Sequence, residues 1–281
     1  MKKLTTFITL SFISILSAQD FQGIAHYTSK TQIREIKISG LDITPAMQQQ
    51  LNERLQKGAK KSYILNFTKT ESVFQEEEKL EMGSPSSGMQ VMRFGGGKPS
   101  KLYKNIKEKT YIEEENFFSK EFLVIDSIEV KKWELLNESK TIGNYTCYKA
   151  KLTIPVTKKQ LQKYKKAKEK KDSGENMFMM IPEPKEKTIE AWYTMDIPVS
   201  NGPSEYGGIP GLILELHTDR TVYLCTKVIL NPKEKINIKK PNKGKKVTRT
   251  AYQDIIEKKL QEMKQKNRNN KENSVIEIRT N

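Results

Sequence analysis

Histidine and cysteine are scarce in this chain of 281 residues, with two of each. His26 and His217 stand in separate strand-like runs. Neither belongs to a His-x-x-x-His or His-Glu-x-x-His pattern, so the spacing that builds a zinc hydrolase is missing. No Gly-x-Ser-x-Gly elbow and no Gly-x-x-x-x-Gly-Lys-Ser/Thr loop appears, which removes the commonest signatures of acyl transfer and nucleotide binding. Gly95-Gly96-Gly97 lacks a helical pattern behind it and reads as a loop. Glu76-Glu77-Glu78 and Glu113-Glu114-Glu115 alternate faces in a strand, so neither triplet can focus all its charges on one site; they read as solvated edges. No catalytic residue and no cofactor is assigned, and the expectation is a protein that is not an enzyme. Beyond the first 18 residues nothing approaches the ~20 apolar residues of a spanning helix.

Those first residues have a different character. Lys2 and Lys3 precede an apolar stretch from Leu4 to Leu16, and Ser17-Ala18 supplies small residues before a cut near Gln19. This is the layout of a secretory signal peptide over 1–18. No cysteine sits at the cut, which argues against a lipid-anchored N-terminus. The expected location is periplasmic, with extracellular release as the alternative. In an oxidising compartment Cys147 and Cys225 read as a disulfide pair, with two separate thiols as the other reading. Closing so long a loop is typically worth about 2–4 kcal/mol.

Acidic residues are outnumbered: 34 Asp and Glu face 50 Lys and Arg, for a formal charge of +16. Lys158 to Lys171 holds eight lysines, and Lys233 to Lys246 is a second dense group. Such runs form solvated faces. For a secreted chain the fitting partners are an anionic membrane surface, lipopolysaccharide or an acidic protein. Lysine dominates arginine and aromatics are not interleaved, so nucleic acid is not expected. Met177, Met179 and Met180 offer soft thioethers that suit Cu(I), but they serve equally as adaptable apolar contacts.

The remaining pattern is mainly β. Thr44 caps, Pro45 opens and Gly58 stops an early helix with Met47, Leu51 and Leu55 on one stripe. Strand-like runs follow at 62–68, 101–103, 110–114, 121–128, 132–137, 145–154, 188–195, 212–217 and 222–230, after a first at 23–28. So many strands without regular helices between them predict a single antiparallel sheet. Two insertions interrupt it, at 82–100 and 157–184. Tyr252, Ile255, Ile256, Leu260 and Met263 predict an amphipathic C-terminal helix over 248–266. A polar tail over 267–281 should fray. The domain is therefore 19–266, an α+β chain whose curved sheet is analogous to the periplasmic lipoprotein-carrier half-barrel. Trp133, Trp192 and Tyr193 lie in strands and read as core.

The densest local signal is Gly208-Ile209-Pro210-Gly211-Leu212-Ile213, followed by Leu214-Glu215-Leu216. Pro210 suits the second position of a type II turn and Gly211 its positive-φ position. The apolar run behind it reads as a buried strand. This segment resembles the motif of the GLPGLI family of secreted Gram-negative proteins, with Ile209 for the first leucine. Ala191-Trp192-Tyr193-Thr194, Ile197-Pro198-Val199, Gly202-Pro203 and Gly143-Asn144-Tyr145-Thr146-Cys147-Tyr148-Lys149-Ala150 agree with that family. The resemblance implies compartment and fold; the family has no established activity. Two functions are carried forward. One is a non-enzymatic binding or carrier protein with an apolar, lipid-like ligand on the concave sheet. The other is an accessory partner of an outer-membrane receptor or transport complex. A Cu(I)-handling role is the minor alternative.

Overall fold

The protein is described by a computed structural model, which covers residues 21–32, 58–77, 101–172 and 183–277 and single positions between 44 and 56. Twelve strands form one open, curved sheet in the order β12-β6-β5-β4-β3-β2-β1-β11-β10-β9-β8-β7. They are β1 Gln22–Thr31, β2 Lys60–Thr68, β3 Glu71–Glu76, β4 Lys101–Asn105, β5 Thr110–Phe117 and β6 Lys120–Ser127. Then come β7 Glu134–Ile142, β8 Tyr145–Ile154, β9 Lys187–Thr194, β10 Leu212–His217, β11 Thr221–Leu230 and β12 Lys245–Val247. All neighbours are antiparallel except β12, which runs parallel to β6 at the edge. The half-barrel expectation therefore holds, with one short parallel strand added.

The helix α1 spans Lys158–Asp172 within the second insertion, and α2 spans Arg249–Glu277. Thr157 and Gln160 form a capping box at the start of α1: the Thr157 amide donates to Gln160 Oε1 at 2.8 Å, and the Gln160 amide donates to Thr157 Oγ1 at 3.2 Å. The second helix runs eleven residues past the expected end at 266, into the segment read as a tail. The early helix appears at Ala46, Gln49, Gln50, Glu53, Gln56 and Gly58, so Gly58 is its last helical position. Its stripe of Met47, Leu51 and Leu55 lies outside the described residues, as do the leader 1–18, the insertion 82–100 and Met177, Met179 and Met180.

The core follows the strand pairing. Ala25 faces Leu65, Leu65 faces Phe74 and Phe74 faces Leu102 across successive ladders. These side chains share one face of the pleat, and all are buried. Tyr27 lies on the same face and reaches where β10 has parted from β11. Those strands pair only over Glu215–His217, and the Tyr27 hydroxyl donates to the freed Ile213 carbonyl at 2.7 Å. A second apolar layer of Val73, Tyr103, Ile112 and Leu123 faces the other way, with Ile238 against it.

Candidate functional site

The chain between β9 and β10 turns back onto the sheet and fills its inner face. Ile197 and Val199 are almost wholly buried there among Ala25, Tyr27, Phe67 and Phe74, whereas Ile209 is buried in a second cluster with Ala150, Ala191, Tyr193 and Ile213. Short-range bonds knit the segment together. The Val199 amide donates to Ile197, the Asn201 amide to Val199, the Ile213 amide to Asn201 at 3.0 Å, and Asn201 bridges Gly207. Trp133 Nε1 donates to the Gly207 carbonyl at 2.9 Å. Gly202 is held so close that a Cβ there would lie 2.7 Å from Ile213 Cδ1.

The family-like motif closes this segment, but its turn is not the expected type II. The Gly211 amide bonds the Ile209 carbonyl at 2.8 Å, making a three-residue turn centred on Pro210, whose ring sets the φ that turn needs. Leu212 then gives its amide to Ile197 at 3.1 Å instead of closing back to Ile209. Gly211 is needed for proximity as well as for conformation. Its φ is +157°, and a Cβ would stand 2.1 Å from the Thr194 carbonyl oxygen. Gly208 has φ +87° with open space around it. Leu212, Ile213 and Leu214 are buried as expected.

One buried cation fastens this segment to the far half of the sheet. Lys104 on β4 is 4 % exposed, and its Nζ donates to the carbonyls of Gly202 at 3.1 Å, Ser204 at 2.8 Å and Tyr206 at 3.2 Å. Burial pushes its pKa down to about 7, Glu205 opposes that shift, and Lys131 adds to it. The three carbonyl acceptors favour the ammonium form. Beside it are two buried polar atoms without a hydrogen-bond partner, Ser72 Oγ and Asn201 Nδ2; Ser72 stands opposite Lys104 in the β3–β4 ladder. This arrangement anchors backbone. No nucleophile–base pair accompanies it, and among the described residues no group of three His, Cys, Asp or Glu side chains could hold a metal ion.

The expected disulfide is not present. Cys147 on β8 and Cys225 on β11 are free thiols, because β9 and β10 run between their strands. Three strand spacings are ~14 Å along a flat sheet, well beyond the Cα separation a disulfide tolerates. Curvature places both in one apolar cluster without joining them. Each thiol donates to a nearby carbonyl, Cys147 to Tyr145 and Cys225 to Lys227. Burial pushes them up to about 11 and about 12 respectively.

Each histidine stands beside a glutamate. His26 Nδ1 sits 3.4 Å from Glu77, and His217 Nε2 sits 2.5 Å from Glu215. Burial raises the Glu215 carboxyl, but Lys140 at 2.8 Å and His217 outweigh it and hold it below its ordinary value. Lys140 also lies 4.3 Å from the Trp192 ring centroid. Trp192 and Trp133 are only half-buried, whereas Tyr193 is core. Alternation splits the triplet on β5: Glu113 and Glu115 both reach Arg249 at the start of α2, so that pair is no solvated edge. Sequence reading missed this node because Arg249 lies 134 residues from Glu115.

Outside this face, one cleft of about 750 Å³ opens between the β2–β3 turn and the segment 235–238. Phe21, Ile236 and Ile238 line it together with Thr68, Glu71, Lys235 and Asn237, a mixed apolar and polar wall. Among the described residues no helix is long and apolar enough to cross a membrane.

The fold and inner-face segment thus define an open β half-barrel plugged by its own chain. A family model described as "Protein of unknown function (Porph_ging)" matches residues 133–215, from Trp133 through the plug to Glu215 on β10. No curated protein matches the sequence. Among solved structures, PNGF-II in its C2 space group is similar at 16 % identity and a TM-score of 0.46, covering 84 % of this chain. The P21 form of PNGF-II gives 17 % identity and a TM-score of 0.45, also covering 84 % of this chain. The chain spans about a third of the PNGF-II chain's length, 32 % and 33 % in the two forms.

Proposed function

We propose that this is a non-catalytic, extracytoplasmic envelope protein of the GLPGLI type, working as an accessory that presents surfaces to a partner. The observation that carries this reading is the filled inner face. Ile197 and Val199 occupy the space where a carrier of this shape would hold an acyl chain, and Lys104 fixes the segment that bears them. Filling costs a carrier its cavity but gives an accessory protein a rigid platform. The GLPGLI assignment rests on Ile209-Pro210-Gly211-Leu212-Ile213, which lies inside the matched span. Secretion rests on the layout of residues 1–18.

Two measurements test the proposal. Native mass spectrometry of protein taken from the envelope should show the bare chain mass, and fluorescent fatty acids should not be taken up. Crosslinking in intact cells should yield a discrete protein adduct. A co-purifying acyl ligand at one per chain would overturn the accessory reading and restore the carrier.

A further inference from the structure

We propose that α1 is a docking element for anionic lipid surfaces, seating its outward face on phosphate-bearing headgroups; this rests on the envelope-accessory reading. The helix carries eight lysines against Glu169 and Asp172, and no acidic residue stands in its first turn. One exposed ion pair links it to α2. Lys163 Nζ meets Glu257 of α2 at 2.5 Å, and Lys159 adds to the field holding the Glu257 carboxyl below its ordinary value. Lys159 and Lys163 are four apart and share the face toward α2.

Leu161 lies two residues from each of them, about 200° around the helix. It is 42 % exposed and points away from α2. Lys158, Leu161, Lys165 and Lys168 follow spacings of three, four and three, so they form a single stripe, and all four are exposed. Ile154, at the end of the strand that feeds the helix, is 38 % exposed as well. An exposed leucine ringed by lysines is the pattern of a helix lying in a membrane interface: the apolar residue enters the headgroup boundary while long lysine stems lift their charges to the phosphates. Lysine rather than arginine suits this partner, because a fluid array of headgroups rewards mobile point charge over fixed bidentate geometry. The leucine at the centre of the stripe distinguishes a lipid surface from an acidic protein, which would be met by charge alone.

The test uses the purified protein and vesicles of phosphatidylcholine, with and without phosphatidylglycerol, in a flotation assay. Binding is expected only with phosphatidylglycerol and should weaken steeply as salt is raised. The triple variant Lys158→Gln, Lys165→Gln, Lys168→Gln should bind about a hundredfold more weakly. Leu161→Ser should lose roughly fivefold while keeping the salt dependence. The charge-matched control Lys69→Gln, Lys107→Gln, Lys233→Gln removes exposed lysines from the opposite end of the sheet and should retain most of the affinity. Circular dichroism confirms that each variant is folded. Equal losses in the two triple variants, binding to neutral vesicles, or binding to polyglutamate but not to vesicles would each overturn the proposal. A variant that leaves the vesicles yet still forms the protein crosslink in cells supports both readings. Binding that survives the α1 changes defeats this inference alone, whereas an acyl chain recovered from the inner face defeats the accessory reading alone.

Discussion

At the scale of single residues, Gly211 and Lys104 carry the plug, and they differ in how far sequence could show them. Pro210-Gly211 announces a turn because only proline and glycine solve its two backbone problems. The close approach of Thr194 to Gly211 comes from a neighbouring strand and is invisible in local pattern. Gly211→Ala should destabilise the fold by roughly 3 kcal/mol, since backbone must move, whereas Gly208→Ala should cost only about 1 kcal/mol for its left-handed φ. Urea unfolding of the two variants decides it; equal midpoints would show that Gly211 is not tightly held. Lys104 gave no warning, because its carbonyl partners lie 98 to 102 residues away and a lysine in a strand defaults to the solvated face. Lys104→Met should cost about 2–3 kcal/mol through the stranded carbonyls. The substitution also predicts a pH signature. Unfolded, this lysine returns to its ordinary 10.5; folded, it titrates near about 7. Between those values the unfolded chain binds the extra proton, so wild-type stability should rise with pH across that window, with the full penalty present below it. Lys104→Met should lack that rise, and an unchanged slope would place the titrating group elsewhere.

At the scale of elements, runs of clear alternation were legible and short or cross-braced pieces were not. The spans of β8 and β10 match their sequence patterns to the residue, because each alternates or runs apolar between plain turn signals. The strand β3 escaped notice: only Val73 and Phe74 break a polar stretch, and the turn before it is made by Thr68 Oγ1 accepting the Thr70 and Glu71 amides rather than by glycine. The β5–β6 hairpin turns on Phe118 and Ser119, both at positive φ, without the Asn-Gly that usually marks such a turn. The short strand β12 sits in a lysine run that read as pure solvated surface, and it matters because it delivers Thr248 and Arg249 to the sheet. Thr248 caps α2, Tyr252 packs on Phe122, and Arg249 joins Glu113, Glu115 and Tyr111. Arg249→Ala removes the cation shared by two half-buried carboxylates, so it should cost about 2 kcal/mol and loosen α2 ahead of the sheet. Hydrogen exchange should show faster exchange in 250–262 with β1, β2 and β11 unchanged. Uniform acceleration across the sheet would mean that α2 and the sheet open as one unit.

At the scale of the whole molecule, the outline was legible and its contents were not. Strand count and the absence of interleaved helices predicted one curved antiparallel sheet, and an open sheet of that kind suggests a concavity for a ligand. Whether it is open depends on where the seventeen residues between β9 and β10 go, and their sequence, rich in Pro, Gly and Ser, does not say. They go inward because Ile197 and Val199 are apolar at the positions that touch the concave face and Ile209 is buried in the adjoining cluster, while their backbone groups are satisfied by Ile213, Leu212, Trp133 and Lys104. A plug satisfied on both counts should stay in place, so opening it by mutation is the sharpest check on the accessory reading. Ile197→Ala with Val199→Ala removes buried methyl groups from between the strands. The double variant should lose about 3–5 kcal/mol, and part of that cost reflects a void the surrounding sheet cannot collapse. Such an apolar void should take up a small apolar probe such as xenon, while the wild-type protein takes none at the same position. If the wild-type protein already admits the probe among Tyr27, Phe67 and Phe74, the inner face is a working cavity, and the surfaces around it lose their claim to the function.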